Sequence, residues 1–86
     1  MSILSRWVGT KFNDSKLVEV AERAIATDPL ITDATAFTAT SEKGVVKLMG
    51  VVHRVQEKDR IEGVVRSAVR SADLKLDRID NQITVR

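Results

Sequence analysis

The side chains in this chain that could carry out chemistry are few and scattered. His53 is the single histidine and there is no cysteine, so a zinc site would have to draw its other ligands from carboxylates. Asp73, Asp77 and Asp80 lie close together, but their spacing lacks the glycine and the closing glutamate of a calcium-binding loop. We therefore expect His53 on the surface, the aspartates in a solvated turn and on an exposed strand face, and no metal or other cofactor.

The hydroxyl side chains give no indication of an activated nucleophile. Ser41, Ser67 and Ser71 are not part of a motif that would place a base beside them. The four glycines are dispersed, so the chain also has no glycine-rich phosphate loop. These observations predict that the protein is not an enzyme.

The composition is that of one small folded domain. The chain has 86 residues, of which 43% are hydrophobic and 30% charged, which is enough for a single core and unlike a disordered chain. The net charge is only +2. A dedicated DNA-binding protein usually carries a denser stripe of basic residues, so we exclude that class. No apolar stretch has the length of a transmembrane helix or the form of a secretory signal, so we expect a cytoplasmic location.

Two helices are indicated by apolar residues at helical spacing. The first follows Asn13 and Asp14, which are good N-cap residues, and runs to about Ala26, before Pro29. The second spans roughly residues 56–72. Their apolar stripes are Leu17, Val20, Ala21, Ala24 and Ile25 in the first helix, and Ile61, Val64, Val65, Ala68, Val69 and Ala72 in the second.

Three strands complete the pattern. Residues 35–40 and 44–52 are predicted to form a hairpin around a turn at residues 41–44, and residues 76–85 form the last strand. In the middle strand one side is apolar or small throughout, and Gly50 lies on that side, where a missing side chain lets a helix or backbone approach closely. We expect this side, which consists of Val46, Leu48, Gly50 and Val52, to be buried.

The order of elements, α-β-β-α-β, determines the expected fold. A strand, a crossover helix and a further strand in one sheet connect right-handed, which makes the second and third strands parallel. We therefore predict an α+β sandwich: a three-stranded mixed sheet with both helices on one face and the other face open.

Three stretches of the sequence resemble the BON domain, a small bacterial module named for osmotically induced and nodulation proteins. Asp28-Pro29 follows the first helix, GVVKLMGVV at residues 44–52 is similar to the family pattern G-V-V-x-L-x-G-x-V, and IDNQITV at residues 79–85 is similar to its closing V-x-N-x-L-x-V. The resemblance covers residues 15–85. It departs from the family at Lys75, where a glycine is usual.

The resemblance implies a non-enzymatic binding module. Members of the family are associated with phospholipid surfaces, envelope stress, osmotic protection and secretion pores. One cytoplasmic relative that carries a LysM domain binds potassium, but this chain has no LysM segment. A bacterial protein that associates with phospholipid or with envelope and osmotic-stress components is therefore the first functional expectation.

Residues 1–12 are predicted to be an amphipathic segment ahead of a domain formed by residues 13–86. The segment either closes one end of the core or lies at a membrane interface, and we expect it to dock on the core with Trp7 partly buried. On the first helix, two basic residues share a stripe that could meet anionic head groups. The candidate residues for binding lipid or a partner are Arg6, Trp7, Lys11, Lys16 and Arg23.

The main alternative is a protein–protein adaptor or assembly domain that uses the open sheet face or an edge strand. Two weaker alternatives are small-ion binding and RNA binding. The α-β-β-α-β order is similar to that of KH modules, but no G-x-x-G loop is present to clamp a nucleic-acid backbone, and few aromatic side chains could stack on bases. The partners expected are anionic phospholipid or another protein, with no DNA.

Overall fold

The computed structural model describes residues 12–31, 33 and 36–86, which form two helices and a mixed four-stranded sheet. In chain order the elements are helix α1 (Asp14–Thr27), strands β1 (Phe37–Glu42) and β2 (Val45–Val52), helix α2 (Val55–Ser71), and strands β3 (Arg78–Asn81) and β4 (Thr84–Val85). The central strand is β2, which pairs antiparallel with β1 and parallel with β3 and β4. The predicted α+β class and the parallel last connection are confirmed.

The last strand is divided, so the prediction of three strands was wrong by one. The register against β2 stays constant across the break: Val45 opposes Arg78 in β3, and Val51 opposes Thr84 in β4. Only Gln82 and Ile83 leave strand geometry. The two segments are therefore one strand with a local interruption.

Asn81 explains the interruption. Its side-chain oxygen accepts the backbone N–H of Ile83 at 3.2 Å, which offers that N–H an alternative to the sheet. Its amide nitrogen donates to the carbonyl of Lys58 at 3.0 Å and to the carboxylate of Glu62 at 3.2 Å. One amide therefore both breaks the strand and joins it to α2.

The hairpin between β1 and β2 is tighter than predicted. The strand pairing continues to Glu42 opposite Val45, which leaves only Lys43 and Gly44 in the loop. Their φ angles are 52° and 82°. Two residues of positive φ are typical of a type I′ turn, whose twist matches that of the strands. The predicted turn at residues 41–44 and the predicted end of β1 at residue 40 are corrected accordingly.

Both helices begin and end within a residue or two of their predicted bounds. At the start of α1 the Asn13 side chain accepts the backbone N–H of Lys16 at 3.2 Å, as expected of an N-cap. At its end Asp28 is extended, with ψ of 123°, which is the geometry favoured before Pro29. Neither described helix has the length and apolarity needed to cross a bilayer.

The core lies between the sheet and the two helices. Along β2, Val46, Leu48 and Val52 are buried while the alternating Lys47 and Met49 are exposed, so the described helices cover one face of the sheet and leave the other open. The buried apolar residues around these strand positions come from every layer: Leu17, Ala21, Ala24, Ile25, Ala39, Ile61, Val65, Val69 and Ile83.

The close approach expected at Gly50, by a helix or by a backbone, is made by the neighbouring strand. A Cβ added there would lie 2.6 Å from the ring of Phe37 and 2.8 Å from the carbonyl oxygen of Ala36. Phe37 is its direct cross-strand partner, and the φ of Gly50 is +153°. The Phe37 ring and the Ala36 carbonyl of the neighbouring segment therefore occupy the space above Gly50, and no helix does.

Leu48 is 1% exposed at the centre of this core. Leu48→Ala should lower the free energy of unfolding by about 2–5 kcal/mol, because it leaves a cavity between sheet and helices. Met49→Ala is the matched control, since the adjacent side chain is 47% exposed, and it should cost about 1 kcal/mol or less. Urea denaturation measures both. Equal losses in the two variants would contradict this placement of β2.

Two glycines should respond with opposite signs to the same change. Gly50→Ala should destabilise the domain by about 1–3 kcal/mol, since the added methyl group meets Phe37 and the backbone is strained. Gly63→Ala should stabilise it by about 0.5–1 kcal/mol, because that helical site is exposed with nothing within 4 Å of an added Cβ. Thermal unfolding of the two variants decides; the assignment is wrong if Gly50→Ala melts above wild type.

Candidate functional site

The residues predicted to bind lipid or a partner fall into two groups. On α1, Lys16 and Arg23 are exposed, and both are paired with Glu19, at 3.5 Å and 2.9 Å. The structure does not bring these two basic side chains to a cleft, and their role stays a prediction. The other three lie outside the described residues: Arg6, Trp7 and Lys11.

Phe12 shows how the chain enters the domain. It is half-buried and packs against the core. Its ring lies against Gly44 at the hairpin loop, and the ammonium group of Lys75 is 5.6 Å from the ring centre. Phe12 therefore packs at the hairpin end of the core, and the docking of the rest of the segment, which lies outside the described residues, stays a prediction. The predicted boundary between residues 12 and 13 stays a prediction.

Four of the five large apolar side chains that are exposed among the described residues lie at the opposite end of the domain; the fifth, Met49, lies on the open face of β2. Leu30 is 67% exposed, Val55 58% and Val51 45%. Val51 and Val52 pair with Thr84 and Val85 at the finish of β2 and β4, and α2 begins three residues later. We call this surface the apolar end and define it as Leu30, Val51, Val55 and Val85.

A cleft of about 470 Å³ opens at the apolar end. Apolar side chains from three connected parts of the fold form much of its wall, with Phe37 at the start of β1 and Val51 at the end of β2. Two arginines and two acidic residues face it as well, so its charged lining is balanced. The lining residues are Leu30, Ile31, Asp33, Ala36, Phe37, Val51, Val52, His53, Arg54, Gln56, Glu57, Arg60 and Ile61.

Asp28 organises the wall of the cleft. Its carboxylate accepts the backbone N–H of Leu30 at 2.8 Å and a guanidinium N–H of Arg60 at 3.1 Å. The bond from Leu30, followed by the contact with Arg60, lowers the pKa of Asp28 below its ordinary value, against the opposing effect of burial. The buried carboxylate thus fixes both the turn that exposes Leu30 and the arginine that faces the cleft.

His53 and Glu57 form the entrance to α2. The carboxylate of Glu57 accepts the backbone N–H of His53 at 3.3 Å, in the manner of a capping box, although the N-cap residue Arg54 has no capping side-chain bond of its own. Both His53 and Arg54 are exposed. Arg54 makes no ion pair with another described residue, so its charge is directed to solvent at the rim of the cleft.

Two of the three aspartates considered as metal ligands have local partners, and Asp73 lies in the exposed turn after α2. Asp77 lies 3.5 Å from Arg78, and Asp80 accepts an amide N–H from Gln82 at 3.0 Å. Across the described part of the chain, no three His, Cys, Asp or Glu side chains are grouped so that they could hold a metal ion.

A second carboxylate, Asp14, holds the hairpin end together. It accepts the hydroxyl of Ser41 at 2.7 Å and the backbone N–H groups of Lys43 and Gly44 at 2.8 Å and 2.9 Å. These bonds, that of Gly44 first, lower the pKa of Asp14 below its ordinary value of 3.8. The first turn of α1 is thereby fastened to the loop between β1 and β2.

Most of the apolar end was not found from the sequence. Val51 lies on the side of the middle strand that was not predicted to be buried, whereas Leu30 and Val55 fall outside every predicted helix and strand and were given no role. A weak signal exists: both are large aliphatic residues outside the apolar stripes. The exposure of Leu30 depends on the turn that Asp28 holds in place together with Arg60. These two residues are 32 positions apart in the sequence.

Comparisons with known proteins do not identify the chain. No protein-family model matches it, and no curated protein matches it either.

The Asp14 contacts should make stability depend on pH. A carboxylate whose pKa is lowered by folding stabilises the folded state above its ordinary pKa, and this stabilisation is lost as the pH falls below about 4 and through the lowered value. Asp14→Asn should therefore lower the melting temperature at pH 7, and its curve should approach that of wild type at pH 2–3. Calorimetry across this range measures the difference.

Asp80→Asn is the control for this experiment. It removes a carboxylate whose hydrogen bond is to Gln82, two residues along the chain, so it should change the melting temperature at pH 7 much less. A constant gap between wild type and Asp14→Asn at every pH would show that the charge of Asp14 has no part in the effect.

Proposed function

We propose that this protein is a non-enzymatic binding module that attaches to phospholipid surfaces through its apolar end. The observation that carries the proposal is the exposure of four large apolar side chains at one end of the domain, where Leu30 and Val51 also line a cleft. Exposed apolar surface of this kind marks a contact site. Insertion of these side chains into the boundary between head groups and acyl chains would remove them from water.

The charges around the apolar end support a lipid interface with a modest electrostatic contribution. Arg54 is exposed at the rim, Arg60 is 43% exposed beside Asp28, and the C-terminal Arg86 follows β4. These arginines can meet phosphate groups. Asp33 and Glu57 oppose them at the cleft, so burial of apolar side chains supplies most of the binding and salt should weaken it only slightly.

Two further observations support the proposal. The chain resembles BON domains over residues 15–85, and members of that family are associated with phospholipid surfaces. Residues 1–12 carry Trp7 with Arg6 and Lys11, a composition suited to a membrane interface. Since Phe12 joins the domain at the hairpin end, that segment would supply a second contact with lipid, separate from the apolar end.

A second candidate is a protein–protein adaptor, and the cleft is the observation that favours it. Two arginines and two acidic residues around an apolar wall match the mixed charges of a protein partner, where an apolar side chain would fill the cleft and polar groups would surround it. The same residues at the apolar end would then contact protein instead of lipid.

Vesicle co-sedimentation tests the proposal. Wild type should bind phosphatidylcholine vesicles, and somewhat better when phosphatidylglycerol is included. Leu30→Ser with Val55→Ser should lower the partition coefficient about tenfold or more, since two apolar side chains no longer insert. Both positions are exposed, so the variant should fold as wild type does, which circular dichroism checks.

Two control variants locate the surface. Met49→Ser removes an exposed apolar side chain from the open sheet face, and Arg23→Gln removes a basic residue of α1; neither should reduce binding as strongly. The proposal fails if wild type does not sediment with either vesicle, or if the two controls matter more than Leu30 and Val55. Deletion of residues 1–11 measures the share of the N-terminal segment.

A further inference from the structure

The two edges of the described sheet differ in how well they are protected against pairing with a further strand. The outer edge of β3 and β4 is short, is interrupted at Gln82 and Ile83, and carries Arg78 and Asp80. Short strands, interruptions and charges are the devices by which proteins prevent another strand from adding to an edge. This edge is therefore protected.

The outer edge of β1 has none of these devices. β1 is six residues long, pairs with β2 without a bulge, and has neither proline nor lysine in its sequence FTATSE. No strand formed by the described residues lies beyond it. Its single charge is Glu42 at the hairpin end, so the greater part of the edge is uncharged and regular.

The hairpin register shows which backbone groups face outward. The two-residue loop makes Glu42 and Val45 a hydrogen-bonded pair, and in an antiparallel ladder such pairs alternate with pairs that do not bond. The N–H and C=O groups of Phe37, Ala39 and Ser41 therefore point away from β2. They form a row of alternating donors and acceptors along the edge.

This row is complementary to itself under a two-fold axis at Ala39. An antiparallel second copy would place Ala39 against Ala39 of the second copy and Phe37 against Ser41 of the second copy, with about six backbone hydrogen bonds. On the open face, Thr38 would lie opposite Thr40 of the second copy, a cross-strand pair favoured in sheets. No like charges meet in this register.

We propose that two copies of this chain pair through β1 to form one continuous sheet. The small Ala39 at the axis lets the strands approach, and the exposed Thr38 and Thr40 form the central pairs on the open face. Phe37 belongs both to this paired edge and to the wall of the cleft, so the hairpin end of the second copy would lie beside the cleft, while Leu30, Val51 and Val55 lie outside the paired strand. The inference is independent of the ligand proposed above.

Cysteine cross-linking of the full chain tests the register. The chain has no cysteine, so a Thr38→Cys variant and a Thr40→Cys variant each carry one thiol. A pair that does not hydrogen-bond has Cα atoms about 4.5 Å apart, within the range that a disulfide spans. In a glutathione redox buffer, the mixture of the two variants should form a covalent dimer several-fold more abundantly than either variant alone, whose thiols would be about 7–8 Å apart.

Sedimentation equilibrium tests the association itself. Wild type should be dimeric at high concentration, Thr38→Lys with Thr40→Lys should be monomeric, and Met49→Lys should stay dimeric because it alters the open face of β2 and not the edge. A monomeric wild type would overturn the proposal. So would loss of the dimer in Met49→Lys, which indicates face-to-face association, or equal cross-linking in mixed and unmixed samples.

Discussion

The two described helices cover one face of this sheet and leave the other open to solvent, and the rest of the described structure depends on that limit. The buried side of β2, with Leu48 at its centre, takes the apolar stripes of both helices, so Lys47 and Met49 on the other side meet solvent. Neither described helix extends past the ends of the strands, so these ends are exposed as well. The apolar end and the open edge of β1 are therefore consequences of a fold whose covering layer is small compared with its sheet.

Carboxylates at both ends of α1 fix the covering layer to the sheet. Asp14 bonds to the hairpin loop through Ser41 and Gly44, and Asp28 bonds to the Leu30 turn and to Arg60 of α2. Each carboxylate accepts hydrogen bonds from backbone N–H groups that would otherwise need water, and Asp28 also forms an ion pair with Arg60. Asp14 determines the geometry of the hairpin end, whereas Asp28 determines that of the cleft.

The local pattern of the sequence determines where the helices lie and which faces are buried, and this part of the fold was predicted correctly. The helix bounds follow from Asn13, from Pro29 and from apolar spacing, all of which act over a few residues. The break after Asn81 was not predicted, because the orientation of its side chain toward Ile83 is held by partners on α2, Lys58 and Glu62, that are distant in the sequence. Nor was the reason for Gly50, which is a ring thirteen positions earlier in the chain that pairs across the hairpin. The cleft depends on such long-range contacts throughout, and the N-terminal candidates lie outside the described residues.

The edge of β1 and the apolar end are separate surfaces, and their arrangement in a pair has a functional consequence. Antiparallel pairing of β1 runs the two copies of β2 in opposite directions, so the two apolar ends point away from each other along the strands. A single flat membrane could then contact only one apolar end of a dimer, and dimerisation would not strengthen attachment through avidity. A paired molecule with two opposed contact surfaces is instead suited to linking two partners, whether these are lipid surfaces or proteins.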